Sequence, residues 1–242
     1  SAKLNTIWVE QNGQQIGAFS PPCRIPVFAG ENQLLRFIPG IALNGVYAQR
    51  NQYEMLSPIE KNWDLNEGST RILSPEFLTF EYNPTYDLIV VEDFDGIGLN
   101  FNKTIQSDTN LLITSDTSEV FYHPGETPNK SGKFVLPPVT LGEFKTLQAF
   151  DLPKYGANVW LEVNYKTDVA LTFGVTANEI LQSAKTPVVT LFPNEEWNKV
   201  YINLVTEVSG YPNALDYNLF FGSINTTDDT ATVLIDNIKL LY

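Results

Sequence analysis

Short runs in which apolar and polar residues alternate, separated by turn-forming residues, recur along most of the chain. Residues 158–166 (NVWLEVNYK) and 198–205 (NKVYINLV) are typical of the pattern. Alternation with a period of two places successive side chains on opposite faces of a β-strand. A helical period is visible over only one short stretch, residues 177–186 (ANEILQSAKT). The sequence therefore predicts an all-β protein.

The size of the chain favours two β-domains in tandem. Its 242 residues include 43% hydrophobic residues, enough for sizeable cores, and 15 each of Gly and Pro scattered as turn residues. The best boundary is Asn83-Pro84, because a residue that precedes proline is pushed out of the helical region. We expect a small β-sandwich over residues 1–84 and a larger β-sandwich over residues 85–242.

Charge and rare residues exclude several functional classes. The formal net charge of −13 argues against nucleic-acid binding, which needs a basic surface, and it suits either a soluble surface or calcium binding. With a single cysteine, Cys23, and a single histidine, His123, a zinc site or a Ser-His-Asp triad is not expected. We expect a buried thiol at Cys23 and a turn at His123. No run of about 20 apolar residues is present to span a membrane.

The N-terminal third contains a predicted hairpin followed by a proline-rich step. Asn12-Gly13 separates two strand-like runs and favours a type I′ turn, because both residues tolerate positive φ. The order of VEQNGQQIG, SPPCRIPVFAG and LLRFIPGI resembles PEGA-type small β-domains over residues 4–80, although the tetrad that names the family is absent. This resemblance implies a spacer or interaction module of a bacterial envelope protein, either secreted or a lipoprotein in the periplasm or outer membrane, with a lipid anchor upstream of the sequence given.

The remainder of the chain resembles another β family. VVEDFDG near the start of residues 86–242, with WNKVYINL and VLIDNIKLLY at its end, resembles the galactose-binding-like jelly roll of carbohydrate-binding modules. The resemblance implies a C-terminal jelly-roll sandwich, and many such domains bind no sugar. It also implies a structural calcium ion held between the first and last strands. The corresponding residues are Glu92, Asp93, Asp95 and Asp236.

The last predicted strand raises a question about Asp236. In residues 232–242 (TVLIDNIKLLY), strict alternation would place this aspartate on the more apolar face. One answer is a β-bulge at Asp236-Asn237, which would turn Val233 and Ile235 inward before it and Ile238 inward after it. The other answer is an inward carboxylate that is paired or coordinates a metal. The sequence leaves both answers open.

Alternation also places aromatic residues on a polar face. Val159, Leu161, Val163 and Tyr165 are predicted to face the core, which leaves Trp160 on the outside, and Tyr201 is outside by the same reasoning. If the strand with small outward residues at 170, 172 and 174 shares this sheet, the surface suits stacking of a sugar ring. The alternative is that a loop or the N-terminal domain covers the aromatic rings. The predicted ligand-binding residues are Trp160, Asn164, Lys166, Tyr201 and Asn203.

Two functional hypotheses follow from the sequence. The first is a non-catalytic envelope module that binds a glycan through the jelly roll. The second is a structural or protein-interaction component with no sugar ligand. An enzyme is not expected, because the E-x-D-x-x-E string of laminarinase-like jelly rolls is absent.

Overall fold

A computed structural model describes residues 4–122, 127 and 129–242, so the predicted turn at His123 lies outside the described residues. The chain divides into two compact units after Tyr86, two residues beyond the predicted boundary. Both units consist mainly of β-strands, and every strand pairing among the described residues is antiparallel. The predicted all-β class is confirmed.

The N-terminal unit contains one five-stranded antiparallel sheet. Its path is β2-β1-β3-β4, and β5 also pairs with β3. The elements are β1 (Thr6–Gln11), β2 (Gln14–Phe19), β3 (Gly30–Ala42), β4 (Arg50–Gln52), β5 (Ile59–Leu65) and a 3-10 helix (Pro75–Leu78).

A non-strand segment supplies the second layer of this unit. The side chains of Leu73, Phe77 and Phe80 pack against a core that includes Val9 and Phe37. Phe77 meets Phe37 edge to face, with ring centroids 5.4 Å apart. The unit is therefore a sheet covered by a loop and a 3-10 turn, whereas the sequence predicted a sandwich of two sheets.

The predicted hairpin in the first unit is confirmed. Asn12 and Gly13 have φ values of 52° and 78°, as a type I′ turn requires, and β1 pairs with β2. The proline-rich segment that follows β2 forms no strand. Cys23 lies in that segment and is exposed, so the expectation of a buried thiol is wrong.

The C-terminal unit is a sandwich of two antiparallel sheets. The front sheet has the order β13-β12-β15-β10-β7, and the back sheet has the order β14-β11-β16-β9-β8, with β6 paired to β16. The elements are β6 (Leu88–Glu92), β7 (Phe101–Lys103), β8 (Leu112–Thr114), β9 (Ser131–Leu136), β10 (Thr140–Thr146), β11 (Trp160–Thr167), β12 (Leu171–Asn178), β13 (Ser183–Leu191), β14 (Asn194–Asn203), α1 (Val205–Ser209), β15 (Asp216–Asn225) and β16 (Ala231–Leu241). This arrangement matches the predicted jelly-roll sandwich.

Aromatic side chains from both sheets fill the space between them. Phe221 of the front sheet contacts the rings of Phe101, Phe144 and Phe173 and also that of Phe134, which comes from the back sheet. All five rings are at most 3% exposed. Their burial gives the sandwich a single continuous core.

The helix predicted over residues 177–186 is wrong, and the helix that the described part of the C-terminal unit contains lies elsewhere in the sequence. The helical period at residues 177–186 covers the end of β12, a turn and the start of β13. That turn is closed by a hydrogen bond of 2.8 Å from the N–H of Glu179 to the carbonyl of Gln182. A five-residue helix forms instead at Val205–Ser209. None of the helices in the described part of the chain is long and apolar enough to cross a membrane.

Candidate functional site

A β-bulge on β16 answers the question that Asp236 raised. The register between β11 and β16 shifts where Asn164 pairs with Asp236 and Glu162 pairs with Lys239. Between these two pairs, one residue on β11 (Val163) opposes two on β16 (Asn237 and Ile238), and the extra residue re-aims the side chains that follow. The core includes Val233 and Ile235 before the shift and Ile238 and Leu240 after it. The structure thus has the bulge at Asp236-Asn237, which was one of the two answers that the sequence left open.

Asp236 itself is buried and hydrogen-bonded. One carboxylate oxygen accepts a hydrogen bond of 2.6 Å from the Ser131 hydroxyl, and the other accepts one of 2.6 Å from the N–H of Asn237. Burial raises the pKa of Asp236 from 3.8 to about 7, against the opposing effect of these hydrogen bonds, and repulsion from Asp95 and Asp93 adds to the increase. The carboxyl group is therefore protonated more readily than an ordinary aspartate.

The acidic residues of the first strand have their own partners. Both carboxylate oxygens of Glu92 accept backbone hydrogen bonds, from the N–H of Phe94 at 2.9 Å and of Asn100 at 2.6 Å. Asp93 accepts a hydrogen bond of 3.2 Å from the N–H of Asp95. Among the described residues, no group of three or more His, Cys, Asp or Glu side chains is placed to hold a metal ion. Calcium binding by Glu92, Asp93, Asp95 and Asp236 stays an untested prediction.

The outer face of the back sheet carries the predicted aromatic pair. Val163 of β11 and Val200 of β14 belong to the core, as predicted, and Trp160 and Tyr201 lie outside that core. However, Trp160 is 5% exposed and Tyr201 is 2% exposed. The sequence left open whether these rings are exposed or covered, and the structure has them covered, because a side chain that points away from the sandwich core can still be buried.

Charged groups accompany the covered aromatic pair. Lys199 forms an ion pair with Glu162, and its ammonium lies 5.2 Å from the centroid of the Tyr201 ring. Burial and repulsion from Lys199 lower the pKa of Lys239 from its ordinary value, although Glu162 opposes the decrease. These contacts form a buried polar network on the outer face of the back sheet, the back face.

The remaining predicted ligand-binding residues have different surroundings. Asn164 is 4% exposed and pairs with Asp236 across the sheet, and Lys166 is half-buried at the far end of β11 from Trp160. The Asn203 side chain accepts a hydrogen bond of 2.9 Å from the N–H of Val205, at the start of α1. The five residues share one sheet but do not form an open surface, and their role in ligand binding stays a prediction.

The predicted floor of small residues lies on the other sheet. β12, which contains Thr172 and Gly174, belongs to the front sheet, whereas β11 and β14 belong to the back sheet. The assumption that these strands share a sheet is therefore wrong. Alternation predicts the direction of a side chain but does not say which strand is its neighbour.

The outer face of the front sheet, called the front face below, has glycines at its centre. Gly174 of β12 pairs with Phe220 of β15, and Gly222 lies two residues further along β15, on the same face. A Cβ atom on Gly174 would overlap Cζ of Phe220 and the carbonyl oxygen of Thr186. The Phe220 ring therefore lies over the bare backbone of Gly174. Phe220 is 4% exposed although it is not part of the sandwich core.

An ion pair covers the outer side of this ring. The Lys185 ammonium lies 4.6 Å from the centroid of the Phe220 ring and pairs with Glu143. Glu143 also accepts a hydrogen bond of 2.9 Å from the Thr104 hydroxyl. The pair joins β13 to β10 over the two strands between them. Since three strand spacings amount to about 14 Å in a flat sheet, the contact requires a sheet that curves toward this face.

Polar and apolar side chains lie in rows around the Lys185–Glu143 ion pair. Lys145 of β10 pairs with Phe220 on one side and with Asn102 of β7 on the other, and both polar side chains are at least partly exposed. At one end of the face, Ile224 pairs with Leu141 and is 59% exposed. Sequence reasoning missed this site because residues 219–221 (LFF) are apolar on both faces of β15, so alternation gave no direction for Phe220.

Comparisons in sequence identify no relative. No protein-family model matches the chain, and no curated protein is similar to it.

Comparisons in structure find neighbours of low sequence identity. The enzymatically active domain of a tailspike protein of bacteriophage CBA120 is 13% identical, with a TM-score of 0.44 over 61% of this chain and 20% of that chain. A family 11 carbohydrate-binding module from Clostridium thermocellum, in complex with a mixed-linked β-1,3-1,4 tetrasaccharide, is 14% identical, with a TM-score of 0.42 over 64% of this chain and 94% of that chain. A xylan-binding family 22 module from Paenibacillus barcinonensis is 12% identical, with a TM-score of 0.44 over 64% of this chain and 93% of that chain. The structural neighbours thus include carbohydrate-binding modules with a β-sandwich fold.

Proposed function

We propose that the C-terminal β-sandwich is a non-catalytic glycan-binding module and that its binding surface is the front face. The observation that carries the proposal is the arrangement around Phe220. An aromatic ring lies over a glycine floor, with an ammonium and a carboxylate on its outer side.

The groups on the front face match the needs of a sugar. The C–H face of a pyranose packs on an aromatic ring, and its hydroxyls need oriented donors and acceptors. Lys145 supplies a donor, Glu143 supplies an acceptor, and the exposed Asn102 amide supplies both. The curvature of the sheet brings these groups toward one another.

The state of Glu143 supports binding without hydrolysis. A glycosidase needs two carboxyl groups about 5–10 Å apart that are able to exchange protons or attack the sugar. Glu143 has one oxygen engaged by Lys185 and the other by the Thr104 hydroxyl. These partners hold the Glu143 side chain in place to accept hydrogen bonds.

The back face is the weaker candidate because its charged groups are more deeply buried. The side chains of Lys199 and Glu162 are 11% and 1% exposed, whereas those of Lys185 and Glu143 on the front face are 40% and 10% exposed. A ligand therefore reaches the charged groups beside Phe220 more easily than those beside Tyr201, although the rings of both faces are covered.

The decisive experiment blocks one face at a time. Affinity electrophoresis would be run in gels that contain soluble xylan, mixed-linked β-glucan or glucomannan. We expect retardation of the wild-type chain in at least one gel. Thr172→Arg, which places a long charged side chain beside Gly222 on the front face, should abolish it.

A matched variant on the opposite sheet serves as the control. Thr232 lies on β16, and its neighbour Val233 faces the core, so Thr232→Arg adds the same side chain to the back sheet. It should leave retardation unchanged. If both variants bind like the wild type, the front face is not the site. If Thr232→Arg alone loses binding, the site lies on the back sheet.

A protein-interaction component is the second candidate function. The observation that favours it is the covered aromatic pair, Trp160 and Tyr201, whose large rings are typical of buried contacts. Absence of binding to every glycan on a broad array would place this function first.

An envelope location is a further part of the proposal. It rests on the resemblance of residues 4–80 to PEGA-type domains. A full-length precursor with a signal peptide that ends in a lipid-modified cysteine would support it, and a cytosolic start would contradict it.

A further inference from the structure

The Lys185–Glu143 pair acts on a ring that would otherwise be available to a ligand. Glycine backbone lies beneath Phe220 and the Lys185 ammonium lies above it, so the ring is enclosed on both sides. The enclosure explains why Phe220 is only 4% exposed although it points out of the sandwich. In the structure described, the best stacking surface on the front face is closed.

The two partners of the pair differ in how firmly they are held. Glu143 is 7% exposed and is fixed by the Thr104 hydroxyl at 2.9 Å. Lys185 belongs to β13, an edge strand of the front sheet, and its side chain is 40% exposed. An ion pair with one half-exposed partner is weak and is screened by salt. The lysine is therefore the part that moves.

We propose that Lys185 is a gate over Phe220, closed by Glu143 and opened by a neutral glycan. This inference rests on the proposed function, because it concerns the same face. When Lys185 swings toward solvent, the ring becomes free to stack on a pyranose. The Glu143 carboxylate then needs a new partner, which a sugar hydroxyl supplies as a donor.

The gate selects against acidic glycans. A ligand carboxylate could attract Lys185 but would leave the buried carboxylate of Glu143 beside a second negative charge, which is costly. The net charge of −13 further repels polyanions at long range. A hydroxyl-bearing, uncharged polysaccharide avoids both penalties, and we infer that this is the ligand class.

Removal of the gate should tighten binding. In Lys185→Ala, the ligand no longer competes with an ion pair and a cation–π contact, and we expect about tenfold tighter binding of neutral xylan or β-glucan. Wild-type affinity should rise as salt is increased, whereas the affinity of Lys185→Ala should not depend on salt. Weaker or unchanged binding by the variant would overturn the gate, because it would make Lys185 a direct contact or a bystander.

A matched ion pair on the back sheet provides the control. Lys133 pairs with Glu119, and both side chains are about a quarter exposed. Lys133→Ala removes the same kind of contact at a distance from Phe220. It should leave both affinity and salt dependence as in the wild type.

A measurement without ligand separates the gate from the proposed function. The rate of lysine acetylation at Lys185 would be followed by mass spectrometry at low and high salt, with Lys145 as the internal reference. We expect slow acetylation at low salt and acceleration by salt or by Glu143→Gln. Equal acetylation rates of Lys185 under all conditions would contradict the proposed gate even if the chain binds glycans. Acetylation of Lys185 could instead be slow at low salt and accelerated by salt while neither the wild type nor Lys185→Ala binds a neutral polysaccharide. That result would contradict the proposed function and the role of the gate in it.

Discussion

The Ser131 hydroxyl links the buried carboxylate of Asp236 to the backbone of Phe121. It donates a hydrogen bond of 2.6 Å to the Asp236 carboxylate and accepts one of 2.9 Å from the N–H of Phe121. The bulge turns the aspartate away from the core between the sheets, and the serine keeps its buried carboxyl group partnered. The buried aspartate of the last strand therefore has hydrogen-bond partners within the chain.

Stability should depend on the protonation of Asp236. The pKa is about 7 in the folded chain against 3.8 as its ordinary value. Between about pH 4 and pH 7, the folded chain keeps a proton that the unfolded chain releases, so stability falls as the pH rises through this window. The loss amounts to roughly 4 kcal/mol at most, and urea denaturation at several pH values would measure it.

Two variants test this assignment. Asp236→Asn cannot ionise and should remove most of the slope between pH 4 and pH 7. Asp93→Asn removes only one of the repulsive charges and should move the slope to lower pH without abolishing it. A slope as steep in Asp236→Asn as in the wild type would mean that another group titrates.

Calcium has a separate test in thermal melting. Because Glu92 and Asp236 already have protein partners, we expect equal melting temperatures in calcium and in excess chelator. A ligand that binds only the folded state would raise the melting temperature by mass action. An increase in calcium that Asp236→Ala abolishes would establish the calcium site that the sequence predicted.

The Trp160 ring should resist quenching by acrylamide. It is 5% exposed, so its fluorescence should be blue-shifted and poorly accessible to the quencher. The difference between the wild type and Trp160→Phe isolates its contribution from those of the other tryptophans. Efficient quenching of that component would show an open back face and would return the site to the residues predicted from the sequence.

Sequence alternation predicted the direction of many side chains but not their neighbours. It offered a phase break at Asp236-Asn237 as one of two answers, because the apolar residues change parity there. It also placed Val163 and Val200 in the core. It could not assign β12 to the front sheet, because pairing between distant strands depends on the topology of the whole sandwich.

The burial of side chains on the outer faces of the two sheets was the second property that the sequence could not predict. Trp160 is directed away from the core as alternation predicts, yet exposure depends on what covers it, and no local pattern contains that information. Phe220 was not identified from the sequence because it lies in the continuous apolar run 219–221, where alternation gives no direction. Each case shows that parity alone is insufficient to identify a binding face.

The glycine beneath Phe220 gives the last prediction. In Gly174→Ala, the new methyl group would overlap the Phe220 ring and the Thr186 carbonyl oxygen. Overpacking of this kind costs about 1–3 kcal/mol, which urea denaturation would detect. Gly98→Ala is the matched control, because a Cβ there has no atom within 4 Å, and it should change stability by at most a few tenths of a kcal/mol.

A double-mutant cycle shows whether the cost comes from the ring. In Phe220→Leu the aromatic tip is absent, so Gly174→Ala should cost less in that background than in the wild type, although the overlap with the Thr186 carbonyl remains. The non-additive part measures the contact between residue 174 and the ring. Additive costs would mean that Phe220 does not rest on Gly174 in solution. The front face would then lack the stacking floor on which the proposed glycan site depends.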